Sequence, residues 1–449
     1  MAAPINEFVQ KYADSGTVRF HMPGHKGRAF HGLEKLDITE ISGADYLFEA
    51  QGIIGLSERQ TAGAFGTART LYSTEGSSLC IKTMLGIVNK CRKNKDQKLL
   101  VAAVRNVHKA FVNACILLDA QVRWVYPESS TGSLCSSPST AQDIEKVIAE
   151  SPRLPDCVYV TSPDYLGYIS DIRGISAVCR RYGIPLLCDN AHGAYLGFLE
   201  ENLHPIALGA DMCCDSAHKT LPCYTGGAYL HISKNAAKEF SENAKTVMSL
   251  FASTSPSYLI MQSLDKCGEL LAGDFGKMLK QTVDRTQKCR ERLSALGWKT
   301  LGDEPCKLTI NAPLCGISGD RLGEILREKN IEPEYTDDSF VVLMTSVFTA
   351  EEDYLALERA MKEVPVGEAL EITANPVPVT KAVMNMREAA FATGEMLPAR
   401  ECVGRVAAMT LTGCQPSVPI AVSGEVITEE IAELMERYGT PKAEVVIKG

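Results

Sequence analysis

Short apolar runs alternate with amphipathic stretches along the first half of the chain. The run LLVAAV (99–104) predicts a strand, NVHKAFVNACILLDA predicts the helix that follows, and QVRWVYP (121–127) alternates apolar and polar residues as a strand does. Later runs of the same kind are CVYVTSP, IPLLCDNAH, ADMCCDSAH and GAYLHIS. Strand–helix–strand units repeated at this spacing predict a mostly parallel sheet covered by helices.

The pattern changes towards the C-terminus. DIRGISAVCRRYG predicts a helix that stops at Gly183, and residues 236–300 are rich in helix formers. KLTINAP and VVLMTS then predict strands, and Thr349 with Glu352 predicts a helix that starts with a capping box. We expect three segments: an N-terminal segment (1–55), a large domain (56–300) and a smaller α/β domain (301–449).

Length and charge narrow the class of protein. A chain of 449 residues predicts about two or three domains. A net charge of −9 and a pI near 5.5 argue against a general nucleic-acid binder. The N-terminus lacks the apolar core of a signal peptide, and the apolar runs fall short of the ~20 residues of a membrane helix. We therefore expect a cytoplasmic protein with neither nucleic-acid nor membrane partners.

Cysteine is abundant, with 16 residues, but CxxC pairs are absent and Cys213 and Cys214 are adjacent. A chain of this size does not need a disulfide framework to build its core. The pattern favours free, mostly buried thiols in a reducing compartment. A cysteine nucleophile and a metal cluster remain as alternatives.

Polar residues follow two of the predicted strands. Asp189 comes at the end of one, and Ser216, His218 and Lys219 follow the next. A lysine at a strand end, inside a pocket, is positioned to form a Schiff base. A carboxylate one strand away can hold a protonated pyridine nitrogen, and these two roles together are what pyridoxal phosphate requires.

The stretch TEGSSLCIKTML (74–85) offers a cradle for the phosphate. Gly76 provides a turn, and Ser77 and Ser78 precede a predicted helix whose N-terminus favours a dianion. His108, at another strand-to-helix junction, could stack on the cofactor ring. Each feature alone has a common structural explanation, such as a helix cap or a turn. Their order and spacing along one chain are harder to explain that way.

Longer motifs add a family resemblance. They are HMPGHKGR (21–28), DITEISGADYL, RNVHKA, TSPDYLG, CDNAHGAY, DSAHKTL, MREAAFA and SGEVITEEI. On these motifs the chain resembles the Orn/Lys/Arg decarboxylases, pyridoxal-phosphate enzymes of fold type I, the aspartate-aminotransferase type. The resemblance implies an α/β fold with a large, mostly parallel domain and a smaller C-terminal α/β domain. It also implies decarboxylation of arginine, lysine or ornithine to the amine and CO2, as in polyamine biosynthesis.

The resemblance further implies residue roles. Lys219 would form the imine with the cofactor, Asp189 would pair with the pyridine nitrogen, and His108 would stack on the ring. His192 would lie near the cofactor and substrate, and Lys219 or His218 would return a proton to the substrate carbon. The residues that would bind or neighbour the phosphate are Gly76, Ser77, Ser78, Ser216 and His218.

Substrate choice would rest on an acid. Glu334, in EYTDDSFVVL, takes the place of the family glutamate that receives the distal cation of the substrate. The alternative is a solvated loop acid beside Asp337 and Asp338.

The basic loop HMPGHKGR admits three interpretations: a nucleic-acid arm, a metal site, or a loop that lines an anionic pocket. The acidic chain disfavours the first. His21 and His25 lack an evident third ligand, so we predict no metal site. In the resemblance the loop lies at a dimer interface near the active sites, although a packed loop without chemistry remains possible. The chain resembles the short form without a receiver-like N-terminal domain, so we expect a homodimer or a dimer of dimers.

Several segments depart from the family pattern, and they leave other functions open. They are residues 79–81 (Leu-Cys-Ile), PCYTGG (222–227), CQPSVP (414–419) and Ser423. One alternative is another pyridoxal-phosphate reaction, such as transamination or a lyase reaction, with Arg387 as a carboxylate clamp. A second is a catalytically silent homologue that acts as a binding partner. A nucleotide-binding protein is a weaker alternative, because Walker and GxGxxG motifs are missing.

Overall fold

A computed structural model of the protein describes residues 2–127, 132–371, 378–413 and 417–447. Its α-helices are α1 (Pro4–Asp14), α2 (Ile53–Phe65), α3 (Gly76–Cys91), α4 (Lys109–Leu118), α5 (Ala141–Glu150), α6 (Ile172–Tyr182), α7 (Pro205–Leu208), α8 (Ala217–Thr220), α9 (Lys238–Ser249), α10 (Tyr258–Leu271), α11 (Phe275–Ala295), α12 (Gly319–Glu328), α13 (Glu351–Glu363), α14 (Met386–Ala390) and α15 (Glu429–Arg437). Its strands are β1 (Arg69–Ser73), β2 (Leu100–Val104), β3 (Gln121–Val125), β4 (Cys157–Thr161), β5 (Leu186–Asp189), β6 (Met212–Asp215), β7 (Ala228–Ile232), β8 (Thr300–Leu301), β9 (Lys307–Asn311), β10 (Tyr335–Thr336), β11 (Phe340–Met344), β12 (Gly394–Pro398), β13 (Leu411–Thr412), β14 (Pro419–Ala421) and β15 (Lys442–Val446).

The chain divides into two compact units, and each unit combines two separate stretches. The first unit contains residues 1–93 and 185–280, and the second contains residues 94–184 and 281–449. The three segments expected from the sequence are each continuous along the chain, whereas each of these units combines two stretches. The division into three segments stays a prediction. Among the described residues, no helix is both long enough and apolar enough to cross a membrane.

The first unit contains strands in the order β1-β7-β6-β5. Strands β5 and β6 are parallel, whereas β7 runs antiparallel to both β6 and β1. Helix α3 packs against β6 and β7. Its buried apolar side chains include Leu79, Ile81 and Met84. Because β5 and β6 point the same way, their carboxyl ends lie at one edge of the sheet.

The second unit contains the parallel strands β4-β2-β3 and an antiparallel sheet of order β10-β11-β9-β8. Trp298, Leu308 and Val341 belong to the apolar core of that antiparallel sheet. The two-stranded sheets β12–β15 and β13–β14 lie at a separate core that includes Ile420 and Ile431. The pairs β2–β3 and β2–β4 in the second unit and the pair β5–β6 in the first are parallel, which confirms the predicted α/β fold with a mostly parallel sheet.

Two predicted helix ends have different outcomes. Helix α6 stops at Gly183, whose φ of 66° lies in the left-handed region that glycine adopts readily, and this confirms the prediction. The prediction that Thr349 and Glu352 form a capping box is wrong. Helix α13 begins after Ala350, whose N–H donates to Asp353 Oδ2 at 2.8 Å. The Thr349 hydroxyl instead accepts a hydrogen bond from the Ser346 amide at 3.0 Å, within the preceding turn.

Candidate active site

The candidate site lies at the carboxyl ends of β5 and β6 in the first unit. Each strand is a buried apolar run that ends in an aspartate, Asp189 in β5 and Asp215 in β6. The register pairs Asp189 with Cys214, so β6 continues one residue further, to Asp215, and Ser216 leaves the sheet beside the end of β5. The short helix α8 follows at once and carries His218 and Lys219. The local sequence therefore presents a carboxylate and a lysine at one edge.

Lys219 lies against a histidine. Its Nζ is 3.1 Å from Nε2 of His192, which follows β5 and is buried. The sequence predicted His192 near the cofactor and substrate, and the structure brings it to the predicted imine lysine. A nitrogen-to-nitrogen distance of this length allows a proton to be shared between the two side chains.

The start of α3 forms the anion cradle. Gly76 has a φ of 68°, which a larger residue rarely adopts, and it turns the chain into the helix. Glu75 at the N-cap makes no side-chain cap, and its carboxylate accepts from the Ser253 amide instead. The hydroxyl of Ser216 donates to that of Ser77 at 2.8 Å. Hydroxyls from two elements and an N-terminus of a 16-residue helix thus converge where a phosphate fits.

Asp189 has the surroundings that a cationic partner requires. The carboxylate is 2% exposed, and its Oδ1 accepts from the Ala191 amide at 3.2 Å and from the Cys214 thiol at 3.5 Å. A buried carboxylate is favourable when a cation or several donors compensate for lost hydration. A protonated pyridine nitrogen is such a cation, so the residues present fit pyridoxal phosphate.

His218 is held by one of the segments that depart from the family pattern. Its Nδ1 donates to the carbonyl of Gly227 at 3.0 Å, and its backbone N–H donates to the same oxygen at 3.1 Å.

The other segments that depart from the family pattern lie elsewhere. Residues 79–81 lie buried in the core of the first unit. In the second unit, Ser423 lies within 3.3 Å of the Thr410 hydroxyl, and residues 414–416 fall outside the described residues.

His108 and Glu334 belong to the second unit. His108 is the N-cap of α4, and its Nδ1 accepts from the Ala110 amide at 3.1 Å. Oε1 of Glu334 accepts a hydrogen bond from the Tyr165 hydroxyl at 2.9 Å. Glu334 also lines a cavity of about 510 Å³. The other charged residues of this cavity are Asp320, Arg327, Glu332, Asp337, Asp338 and Arg437.

Arg387, the alternative carboxylate clamp, has other partners. Its Nη1 donates to the carbonyl oxygens of Ile116 and Leu117 at 3.3 and 2.9 Å, at the end of α4. This arrangement stabilises a helix C-terminus, which carries unpaired carbonyl groups and a partial negative charge.

Two residues beside the site were not predicted from the sequence. Nδ2 of Asn190 donates to Oδ1 of Asp215 at 2.7 Å, so side chains that follow or end the two strands are joined. Both strands end in Cys-Asp followed by a polar residue, in Cys188-Asp189-Asn190 and in Cys214-Asp215-Ser216. That repeated triplet is the signal that could have identified them.

Comparisons with known proteins indicate a family and a fold. The family model "Orn/Lys/Arg decarboxylase, major domain" matches residues 3–301. The chain is 28% identical over 459 residues to the arginine decarboxylase of Bacillus subtilis, covering 95% of this chain and 91% of that protein. It is 26% identical over 466 residues to that of Bacillus anthracis, covering 97% and 92%. The crystal structure of the Francisella novicida lysine decarboxylase superposes with a TM-score of 0.81 at 16% identity, covering 99% and 81%.

Proposed function

The chain belongs to the Orn/Lys/Arg decarboxylase family of fold type I pyridoxal-phosphate enzymes, and we propose that it decarboxylates arginine, lysine or ornithine to the corresponding amine. The observation that carries the proposal is the edge where Asp189, Ser216 and Lys219 lie together, with Lys219 Nζ 3.1 Å from His192. A decarboxylase that uses pyridoxal phosphate needs a lysine for the imine and an acid for the ring nitrogen.

The residues that would hold pyridoxal phosphate are divided by task. The N-terminus of α3 with Ser77, Ser78 and Ser216 would bind the phosphate, and Lys219 would bind the aldehyde carbon. Asp189 would bind the ring nitrogen, and His108 would stack on the ring. When bound, the cofactor accepts the electron pair that CO2 leaves behind. A buried anion at Asp189 favours the protonated ring nitrogen, which makes that acceptance easier.

Two groups are suited to move the proton that replaces CO2. Lys219 shares a short contact with His192, which can take or supply its proton. His218 donates through Nδ1 to Gly227, so Nε2 is the ring nitrogen that can take up a proton and then deliver it. We propose Lys219 or His218 as the proton donor to the substrate carbon.

Glu334 is proposed as the acceptor of the distal cation of the substrate. Its carboxylate has one oxygen fixed by Tyr165, which leaves the group oriented rather than freely rotating. The acidic lining of the adjoining cavity suits a guanidinium or an ammonium group.

We further propose a homodimer in a reducing compartment. The N-terminal segment exposes large apolar side chains, with Val18 76%, Phe20 93% and Phe30 84% exposed. Apolar side chains grouped at a surface mark an interaction site. The cysteines of the described residues are free thiols, which supports a cytoplasmic location.

Product analysis tests the reaction. The purified protein is incubated with arginine, lysine and ornithine in turn, with and without added pyridoxal phosphate, and CO2 and amine are measured. We expect equal amounts of CO2 and amine from one of the three. Formation of a keto acid when pyruvate is added would replace the proposal with transamination.

Borohydride reduction tests the cofactor link separately. We expect the digested, reduced protein to carry a cofactor adduct on the peptide that contains Lys219. A protein that shows neither the adduct nor a cofactor absorption band is a silent homologue, and the proposed function is then wrong.

A further inference from the structure

A second aspartate, Asp215, lies beneath the candidate site and is saturated with hydrogen bonds. Its Oδ2 accepts from Nε2 of His204 and from Nε2 of His231, both at 3.1 Å. Its Oδ1 accepts from Asn190 Nδ2 at 2.7 Å and from the Cys213 thiol at 3.5 Å. Asp215 is fully buried. A carboxylate has about four acceptor positions, and each is occupied here.

This arrangement keeps Asp215 ionised. Burial raises the pKa of its carboxyl, but the Nε2–H groups of His204 and His231, which point at the carboxylate, outweigh burial and hold the pKa well below its usual range. Burial lowers the pKa of His231, which favours its neutral ring. The unit therefore contains an anion that is stabilised by donors from separate elements.

His204, Asp215 and His231 could in principle ligate a metal, since their ligand atoms lie within 4.8 Å of one another. The hydrogen bonds of His204 argue otherwise. Nδ1 of His204 accepts from the Ile206 amide, so the proton of the neutral ring lies on Nε2, which faces Asp215. A metal bound at Nε2 requires a lone pair at that atom. The cluster is therefore a hydrogen-bond network.

The network crosses the strands of the first unit. His231 on β7 is joined through Nδ1 to the Thr70 hydroxyl on β1 at 2.8 Å. Asn190 follows β5, and its backbone N–H donates to the Cys214 carbonyl on β6. The ring of Phe65 covers both imidazoles, with centroids 5.4 Å from His204 and 4.4 Å from His231. Both imidazoles are buried, and a hydrogen bond is stronger where water is excluded.

Asn190 ties the network to the site. Its side-chain carbonyl oxygen is buried and has no hydrogen-bond partner among the described residues, so the contact with Asp215 fixes how the amide points. Asn190 directly follows Asp189, and Asp215 directly precedes Ser216. The bond between them continues the β5–β6 ladder past the last register pair, Asp189 with Cys214.

We propose that Asp215 is a positioning residue that, held by His204 and His231, locks Asn190 and so keeps Asp189, Ser216 and Lys219 in their relative places. This inference rests on the proposed function, because it concerns the residues assigned there to the cofactor. A displacement of about 1 Å at such a site costs on the order of 10²-fold in rate.

The test compares Asp215→Asn with Ser57→Ala in the full chain. Ser57 lies in the same unit and donates to another buried carboxylate, Asp265, at 2.5 Å, outside the candidate site. Both variants are expected to melt at lower temperature than the wild type. Asp215→Asn alone should weaken pyridoxal-phosphate binding and lower kcat, each by about 10-fold to 100-fold, with KM for the amino acid changed by less than about 3-fold. Its amides at 189–193 and 216–220 should also exchange hydrogen about 10-fold faster without cofactor, which Ser57→Ala should not show.

A double variant tests the route through Asn190. If Asp215 acts through that side chain, Asn190→Ala adds little to the kcat loss of Asp215→Asn, whereas independent effects multiply. Asn190→Ala alone serves if Asp215→Asn does not fold. Unchanged cofactor binding, kcat and exchange in an active enzyme overturn the inference and leave the proposed function standing. Stoichiometric metal on His204 and His231 also overturns it, and a wild type without cofactor binding removes both.

Discussion

Two regions of this protein each surround a buried aspartate, and they shift the pKa of that aspartate in opposite directions. In the first unit, Asp215 is buried, saturated by imidazole and amide donors, and its pKa is lowered. In the second unit, Asp164 is equally buried and accepts from the Ser136 hydroxyl at 2.5 Å and from backbone amides. Burial raises the pKa of Asp164 to about 6 despite these donors and the nearby Lys307.

The comparison shows that burial does not by itself decide the ionisation of an acid. Donors from four side chains hold the anion at Asp215, whereas a hydroxyl and amides leave Asp164 close to protonation near pH 6. Tyr165, next to Asp164, positions the exposed carboxylate of Glu334. The first region is thus built for fixed geometry, and the second combines a titratable group with an accessible acid.

Removal of Lys219 from the first region should have the largest effect on activity. In Lys219→Ala we expect kcat to fall on the order of 10³-fold, within the range that general acid–base groups contribute. Decarboxylation of the preferred amino acid is the measurement. Lys238→Ala, an 86% exposed lysine of the same unit, is the matched control and should keep its rate. Comparable rates for both variants would contradict the assignment.

The pH dependence of the free energy of unfolding should show the raised pKa of Asp164. A pKa raised from 3.8 to about 6 means that the folded protein binds the proton more tightly than the unfolded chain between those pH values. The stabilising contribution is therefore present below pH 3.8 and is lost as pH rises through 6, by about 3 kcal/mol at ~1.4 kcal/mol per unit. The free energies of unfolding of the wild type and of Asp164→Asn are measured in urea across this pH range. The difference between the two values should change by this same amount. Parallel stability curves would rule the effect out.

Neutralising the substrate acid should have a smaller effect. Glu334→Gln should raise KM for the preferred basic amino acid by about 30-fold, because a hydrogen bond to a charged group is worth ~2 kcal/mol. Glu332→Gln is the control, since that carboxylate lines the same cavity but already pairs with Arg327 at 2.7 Å. An unchanged KM in Glu334→Gln would leave Glu334 as an ordinary loop acid.

The smallest effect is expected from the residue that orients Glu334. Tyr165→Phe should raise the same KM by about 5-fold, the equivalent of one neutral hydrogen bond of ~1 kcal/mol. Tyr182→Phe, which removes a 3.4 Å bond to Glu145 elsewhere in the second unit, provides the comparison. If both variants have wild-type KM values, Tyr165 does not position the substrate acid.

Local pattern was sufficient for much of this molecule. The strands around residues 100–104, 186–189 and 212–215 follow from short apolar runs, and Gly183 ends its helix because glycine adopts positive φ readily. The order of the glycine turn, the aspartate and the lysine along the chain identified the candidate site. These features depend on residues that are neighbours in the sequence, so they can be predicted from the sequence alone.

Other features depend on partners that are distant in sequence. His204 and His231 reach Asp215 only because β7, β6 and the segment before α7 meet at a particular register, and hydropathy does not encode that register. Helix α13 starts after Ala350 because the Thr349 hydroxyl is already engaged by Ser346. The roles of buried polar groups are set by which donors arrive from elsewhere, since a carboxylate without them would be protonated or displaced from the core.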